Sequence, residues 1–511
     1  MRRLAILTAL ALPGVVSCQA GVTLEEAVAS INEEDFLNKV LVIAHDSMMG
    51  RANPSPGLDM TAQYVADEFR RYGLEPGGDD GTFIQGYAMR EMAADFENSS
   101  AQVTGGATLG FGADLSYVRA SGGGAVTGDV VLVTGTQGGE DSDPSALNGK
   151  HVIIVPDAGT PQTTGRRRMR FPMVIMNAEP ASVIMVAAGS DEEWNEAVDR
   201  QREQTMTLAP WDTSDSNAPI LSIRETSLAP ILASHGVELA QLAAGAGDQT
   251  TFHPVSGLEL TVTTAVQEIG SFVQPNTVGI LEGSDPELRD EYIVYSAHMD
   301  HVGTGRPNEQ GDSIYNGADD DASGTILVVE VAEAMAMLAD RPKRSMIFLG
   351  VSGEERGLWG SRFFAENPPV PLEQIVANLN ADMVSRNWPD TVVAIGKEHS
   401  DLGETLNRVN EAHPELHMIA IDDIWPEQNF YRRSDHFNFA RRGVPILFFF
   451  TGVHEDYHRP TDDVSRMDAE KGARISQLLF YLGLELGNAP ERPQWNPDSY
   501  SEIVDLGGGG G

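Results

Sequence analysis

The chain has 511 residues, 41% of them apolar and 22% charged, which is enough core-forming material for about two to four domains and excludes a disordered chain. Its 75 acidic residues against 35 basic ones give a formal net charge of -40, a surface that repels polyphosphates and excludes nucleic acid as a partner. A single cysteine excludes both a disulfide framework and a Cys-based zinc finger, so any metal site must be built from His, Asp and Glu.

In chain order, Arg2 and Arg3 precede an apolar run over 4–12, and a small-residue stretch ends at Cys18. A charged start, a short apolar segment and a processing site read as an export signal. The pattern resembles a bacterial lipoprotein signal, which implies cleavage before Cys18 and a lipid on its thiol. The expected location is therefore the periplasm or outer membrane, with membrane contact only through that lipid. No later stretch reaches the roughly 18 apolar residues of a membrane-spanning helix.

Residues 24–100 carry helical periodicity. Asp59 is expected to cap a helix over 61–72 whose Tyr64, Val65, Phe69 and Tyr72 share a face, with Gly73 as the left-handed residue that ends it. From about 105 to 260 the texture changes to Gly-rich turns between β-type runs at 129–134, 151–155 and 183–187, interrupted by a helical stretch over 226–242. This middle part reads as a separate, mostly β domain inserted into the first. Within it Arg166, Arg167, Arg168 and Arg170 form a basic cluster expected to be a solvated loop. From about 275 onward strands are expected at 292–297, 345–351, 375–381, 391–395 and 445–450, with a helix at 322–338. Continuous apolar runs alternating with helices predict an α/β fold whose mixed, largely parallel sheet is covered on both faces.

Four of those five strands run into chemistry. The first leads into His298 and Asp300, the second into Glu354 and Glu355, the third into Asp382, and the last into Tyr457 and His458, while Asp319, Asp320 and Asp321 precede the helix. In open α/β sheets ligands bind beyond the carboxyl ends of the strands. Imidazoles and carboxylates without thiolate suit zinc or a similar divalent ion, and two such ions can share a bridging carboxylate and water. Asp320, just before a helix N-terminus, is a candidate bridge. Residues i and i+2 of a strand lie on one side, so Asp300 is expected to accept the ring N–H of His298 as support behind the ligand. The side chains of Glu354 and Glu355 diverge, so one can bind metal while the other serves as general base.

The motifs His298-Met299-Asp300-His301-Val302-Gly303, Asn316-Gly317-Ala318-Asp319-Asp320-Asp321-Ala322-Ser323-Gly324, Ser352-Gly353-Glu354-Glu355-Arg356-Gly357-Leu358, Asn380-Ala381-Asp382 and Tyr457-His458 resemble, in order and context, the bimetallic zinc aminopeptidase family. That family includes bacterial leucyl aminopeptidases, glutamate carboxypeptidase and glutaminyl cyclases. The resemblance spans roughly 280–480, and residues 45–76 are similar to the segment that precedes the catalytic core in secreted members. It implies a three-layer α/β/α zinc-exopeptidase fold binding two Zn2+ ions, one held by His298 and Asp382, the other by Glu355 and His458, with Asp320 bridging. It further implies Glu354 as general base and Tyr457 as a helper at the oxyanion. The middle region resembles the protease-associated insert of such enzymes. The organisation this implies is a signal peptide over 1–18, the N-terminal part of a peptidase domain over 24–104, the insert over 105–260, the catalytic core over 261–490 and a tail over 491–511.

In the family pattern His301 is not a ligand, and His436 is expected to order a loop rather than bind metal. Trp359, Trp425 and Phe448 to Phe450 are divided between core packing and a hydrophobic specificity pocket. The expected activity is removal of N-terminal residues from peptides. A carboxypeptidase or dipeptidase of the same fold, for which Arg432 or Arg433 would receive a free carboxylate, is the alternative, followed by a glutaminyl cyclase or an inactive binding protein.

Overall fold

The structure is a computed structural model, and it describes residues 21–119, 124–135, 143–156, 175, 178–203, 206–208, 218–247 and 249–505. The expected signal segment with Cys18, the arginine cluster at 166–170 and the glycine tail lie outside the described residues. The chain divides into two compact units, one formed by residues 1–87 with 274–511 and one by residues 88–273. The second unit begins earlier and ends later than the 105–260 expected from texture, because the strands over 84–94 and 266–281 at its edges continue unbroken into the first unit and carry no turn signal where the units divide.

The first unit opens with three helices, α1 (Leu24–Ser30), α2 (Glu33–Ile43) and α3 (Pro56–Arg71). Ser55, not Asp59, caps α3: its side chain accepts the Leu58 N–H and Pro56 occupies the first turn, so the helix starts five residues before the expected position. Serine as N-cap followed by proline at N1 is a stronger start signal than an acidic residue one turn later. Gly73 ends the helix at φ +78°, as expected from its sequence position.

The central sheet contains β1 (Ile84–Ala94), β2 (Val266–Leu281), β3 (Tyr292–His298), β4 (Ser345–Val351), β5 (Ile375–Ala381), β6 (Thr391–Ile395), β7 (Ile419–Ile421) and β8 (Ile446–Phe450). They lie in the order β7-β6-β8-β5-β3-β4-β2-β1. β8, β5, β3 and β4 are mutually parallel, whereas β6 runs antiparallel to β8 and β2 antiparallel to β4. Every residue of β4 and β5 is buried, the pattern of strands covered on both faces. Helices α4 (Gly324–Met337) and α5 (Ala469–Asn488) pack with α1 to α3 on one face, around Phe36, Phe69, Leu327 and Phe480. On the other face Phe364, Phe439, Phe448 and Phe450 form a second core. This is the mixed α/β architecture expected from the sequence.

The second unit holds an eight-stranded sheet with helices at Asp191–Glu203, Glu225–Ser234 and Leu239–Ala244. Its strands include Gly124–Thr134, His151–Ile154 and Ser182–Ala187, close to the β-type runs of the sequence. The helical stretch expected over 226–242 is broken at Gly236, which takes φ +77°.

One ion cluster ties the helical layer together. Lys39 on α2 is buried, and its Nζ donates to Asp35 Oδ2 at 2.7 Å, to Glu330 Oε1 on α4 at 2.7 Å and to Glu333 Oε2 at 2.6 Å. Burial works against the charged amine, but Glu330 and the other two carboxylates win and hold it above the usual lysine range. Removing one partner of a buried pair strands the other, at a cost of about 3–5 kcal/mol. Lys39→Met is therefore expected to lower the thermal transition of this unit markedly, and Lys39→Met with Glu330→Leu to recover most of the loss. Calorimetry on the three proteins checks this, and equal losses for the single and double variants would contradict it.

Candidate metal centre and active-site cleft

Because β3, β4, β5 and β8 are parallel, their carboxyl ends share one edge, and that edge gathers the residues singled out in the sequence. His298 is the last residue of β3, Asp382 follows β5 directly, Glu354 and Glu355 follow β4, and Tyr457 and His458 lie in the loop after β8. Two donor sets result. His298 Nε2 stands 3.4 Å from Asp320 Oδ1 and 3.6 Å from Asp382 Oδ1. His458 Nε2 stands 3.2 Å from Asp320 Oδ2 and 3.1 Å from Glu355 Oε1. Asp320 thus presents one oxygen to each set, the geometry a bridging carboxylate needs. His301 also enters the second set.

The loop before α4 explains why Asp320 alone of three aspartates is presented. Asp321 Oδ1 accepts the N–H groups of Gly324 and Met383, and its Oδ2 accepts the His298 N–H. Asp319 Oδ1 accepts the Ser385 N–H at 2.7 Å and the Ser323 hydroxyl. Asp462 Oδ1 and Oδ2 accept the backbone N–H groups of Asp319 and Asp320, which pins the loop from below. The flanking carboxylates are spent on backbone, and the middle one faces outward. It is Asp321, not Asp320, that meets the N-terminus of α4: a wide turn over Ala318–Ser323 delays the helix to Gly324.

Asp300 supports His298 differently from the expectation. The His298 Nδ1–H donates to the backbone carbonyl of Asp300 at 3.0 Å, while the Asp300 carboxylate lies 3.8 Å away and accepts the Glu354 N–H through Oδ1. β3 ends at His298, so the alternation that would put residues 298 and 300 on one side no longer applies. The tautomer argument survives, since a carbonyl only accepts and Nε2 keeps its lone pair for the cleft. Asp382 is oriented by the Ser434 hydroxyl, which donates to Oδ2 at 2.9 Å and leaves Oδ1 toward His298.

Four contributors carry no role in the sequence reading. Arg51 is fully buried behind the site and donates to the carbonyls of Ile43, Met299, Asn316 and Gly317, holding the loops on either side. Asp462 and His454, whose Nε2 is 3.3 Å from Asp319 Oδ2, tie the loop after β8 to the aspartate loop. His301 stood inside a quoted motif, and its orientation into the donor set was the missing information.

The donor chemistry fits zinc, which takes imidazole nitrogen and carboxylate oxygen. Asp320 Oδ2, Glu355 Oε1 and His301 Nδ1 are buried without a hydrogen-bond partner, and Nδ1 lies 3.6 and 2.9 Å from the two oxygens. Burial alone would lower His458, yet Asp320 and Glu355 carry it up to about 10. Burial raises Glu354 well above the usual carboxylate range, with Asp435, Asp382 and Glu355 adding to the effect against His298. So much buried negative charge calls for cations.

Residues 276–483 match the model of peptidase family M28. The chain is 26% identical over 287 residues to a probable zinc metalloprotease of Pyricularia oryzae, covering 46% of this chain and 55% of that one. It is 28% identical over 181 residues to a probable glutamate carboxypeptidase of Arthroderma benhamiae, covering 34% of this chain and 20% of that one. The chain therefore spans about half, or less, of the length of these curated relatives. Among solved structures, an aminopeptidase from Aneurinibacillus sp. strain AM-1 superposes with a TM-score of 0.50 at 17% identity, over 93% of this chain and 98% of that one, a likeness of fold.

His298, Asp320 and Asp382 line a cleft together with Glu354, Met383, Phe430, Phe448, Phe450 and Val453. Tyr457 and Arg433 also line it. Strand alternation divides the Phe448-Phe449-Phe450 run, sending the outer two toward the cleft and Phe449 into the opposite core. Trp425 backs the pocket by packing on Phe430 and Phe450, and Trp359 is not among the lining residues. His436 binds no donor set: its Nε2 donates to the Tyr431 carbonyl at 2.8 Å and its ring stacks on Phe448 at 4.4 Å, ordering the loop as expected.

Burial pushes the His436 imidazole down to about 3 from an ordinary 6.5. Between those values the unfolded chain binds a proton that the folded domain does not, so stability falls as pH drops, by about 1.4 kcal/mol per unit. Denaturant midpoints measured from pH 7 to 5 should fall more steeply for the native protein than for His436→Gln, the difference developing below pH 6.5. Parallel profiles would remove His436 as the cause.

Proposed function

We propose that this protein is a zinc-dependent exopeptidase that removes N-terminal residues from peptides, exported and lipid-anchored through Cys18. The observation that carries the catalytic reading is Asp320 facing two donor sets at once, with Glu354 beside them in the cleft. Two Zn2+ ions, one at His298, Asp320 and Asp382 and the other at Asp320, Glu355 and His458, would polarise a peptide carbonyl and lower the pKa of a water. Glu354 accepts a proton from the attacking water and passes it to the departing amine nitrogen, so the carboxylate is regenerated. Tyr457, raised by burial and by Asp320 and Glu355, keeps its phenolic proton and offers a donor to the developing oxyanion. Met383, Phe430, Phe448, Phe450 and Val453 give an apolar seat for the side chain of the leaving residue. The match of residues 276–483 to the M28 peptidase model and the zinc metalloprotease name of the Pyricularia relative support the peptidase chemistry.

Arg433 in the cleft favours a second reading, in which a free carboxylate is bound and residues leave from the C-terminus. Peptides blocked at either end separate the two. Cleavage abolished by N-terminal blocking alone is the outcome expected here, and loss on C-terminal blocking alone, with KM raised in Arg433→Met, would establish the other.

Glu354→Gln keeps the shape and removes the proton carrier. It is expected to retain its zinc, read by elemental analysis, while turnover falls by at least ~10² to 10⁴. Near-native turnover in a zinc-replete variant would refute the assignment.

A further inference from the structure

We propose that His301 is a fourth protein ligand and that it makes the two metal positions unequal: a closed position of His301, Asp320, Glu355 and His458 that retains its ion, and an open one of His298, Asp320 and Asp382 that exchanges it. The inference rests on the two-ion reading above and deepens it.

The closed set has the dimensions of a coordination tetrahedron. His301 Nδ1 is 2.9 Å from Glu355 Oε1 and 3.6 Å from Asp320 Oδ2, while His458 Nε2 is 3.1 and 3.2 Å from the same two oxygens. Zinc bonds of about 2.0–2.1 Å in tetrahedral array separate donors by about 3.3 Å. A histidine retained for packing or for a hydrogen-bond network would have a partner for its ring. His301 is 1% exposed, its Nε2 has no partner, and the groups at its Nδ1 are the Glu355 and Asp320 carboxylates of the same donor set. Its backbone N–H is fixed to the Arg51 carbonyl. A Cβ on Gly317 would stand 2.1 Å from the Asp320 carbonyl oxygen and 2.5 Å from His301 Cδ2, so glycine at this position lets the aspartate loop and the ring lie side by side.

Ligand number, not burial, separates the two sets: His298, Asp320 and Asp382 line the cleft, while His458 of the other set keeps 35% of its side chain exposed. Four protein ligands close a zinc site, and three leave a coordination position for water or substrate. The open position is the one substrate meets.

The test uses the full chain loaded with zinc and dialysed against rising concentrations of a chelator, with retained zinc read by elemental analysis. The native protein should release its two equivalents in separate stages, the first at roughly 10- to 100-fold lower chelator, the range that even an outer partner of a ligand is worth. His301→Leu should merge the stages by losing the tighter one. His301→Asp, which puts an oxygen near the place of Nδ1, should restore it. Cobalt substitution gives a second readout, since the intense visible absorption of a four-coordinate ion should accompany the first equivalent in the native protein and weaken in His301→Leu. Single-stage release of both ions from the native protein would overturn the inference and leave the two-ion reading intact, as would unchanged staging in a folded His301→Leu. Native protein that binds no zinc would overturn the two-ion reading itself.

Discussion

Buried negative charge is the constraint from which the rest of this unit follows. Asp300, Asp319, Asp320, Asp321, Asp382, Asp435 and Asp462 are all buried around the ends of four parallel strands. Each buried carboxylate left unpaired costs several kcal/mol, so the surrounding structure is arranged to compensate them. Those on the inner side are compensated largely by the chain itself, as Asp321 and Asp462 accept backbone N–H groups through both oxygens and Asp319 through Oδ1. Arg51 adds a positive charge from behind while four of its N–H groups donate to carbonyls, so it compensates the aspartates without pairing with any one of them. Those on the outer side, Asp320, Asp382 and Glu355, face imidazoles and remain available for a cation.

Satisfied and available carboxylates alternate along three consecutive positions, and this is where reading the sequence reached its limit. The run Asp319-Asp320-Asp321 was recognisable as a site, and its middle member as the bridge, from motif order. Which neighbours consume the outer two depends on Ser385, Met383 and Asp462, between 62 and 143 residues away. No local pattern encodes such partners. The strand ends were legible for the opposite reason: long apolar runs fix β3, β4, β5 and β8, and the residue that follows each run must fall at the same edge once the strands are parallel. Where the rule failed, at Asp300, it failed because the strand stops at His298 and alternation stops with it. Arg51 was missed because a lone arginine in a polar stretch reads as surface, and only the packed loops turn it into a hub.

Local chemistry decided the helix boundaries in the same way. Ser55 with Pro56 outweighed Asp59 because capping depends on an oxygen placed at the first free N–H groups rather than on charge in the first turn. The Ala318–Ser323 turn outweighed the apolar pattern that suggested an earlier start for α4, because the aspartate carboxylates compete successfully for backbone N–H groups that a regular helix would leave to its own carbonyls.

The loop that carries His458 shows how ligand geometry is set in advance. His458 sits at φ +55°, a conformation that costs a non-glycine residue about 1 kcal/mol or more. Its neighbours hold it there: Asp456 accepts from Arg386 at 2.8 Å, His454 lies against Asp319, and Asp462 clamps the backbone of Asp319 and Asp320. The same contacts that impose the strained backbone fix the distance between His458 and Asp320. A cation that binds this pair therefore stabilises both loops together, and the free energy of binding it becomes part of the free energy of folding the unit. Metal affinity and loop order are then one equilibrium, which places the burden of specificity on contacts such as Asp462 that never touch the ion.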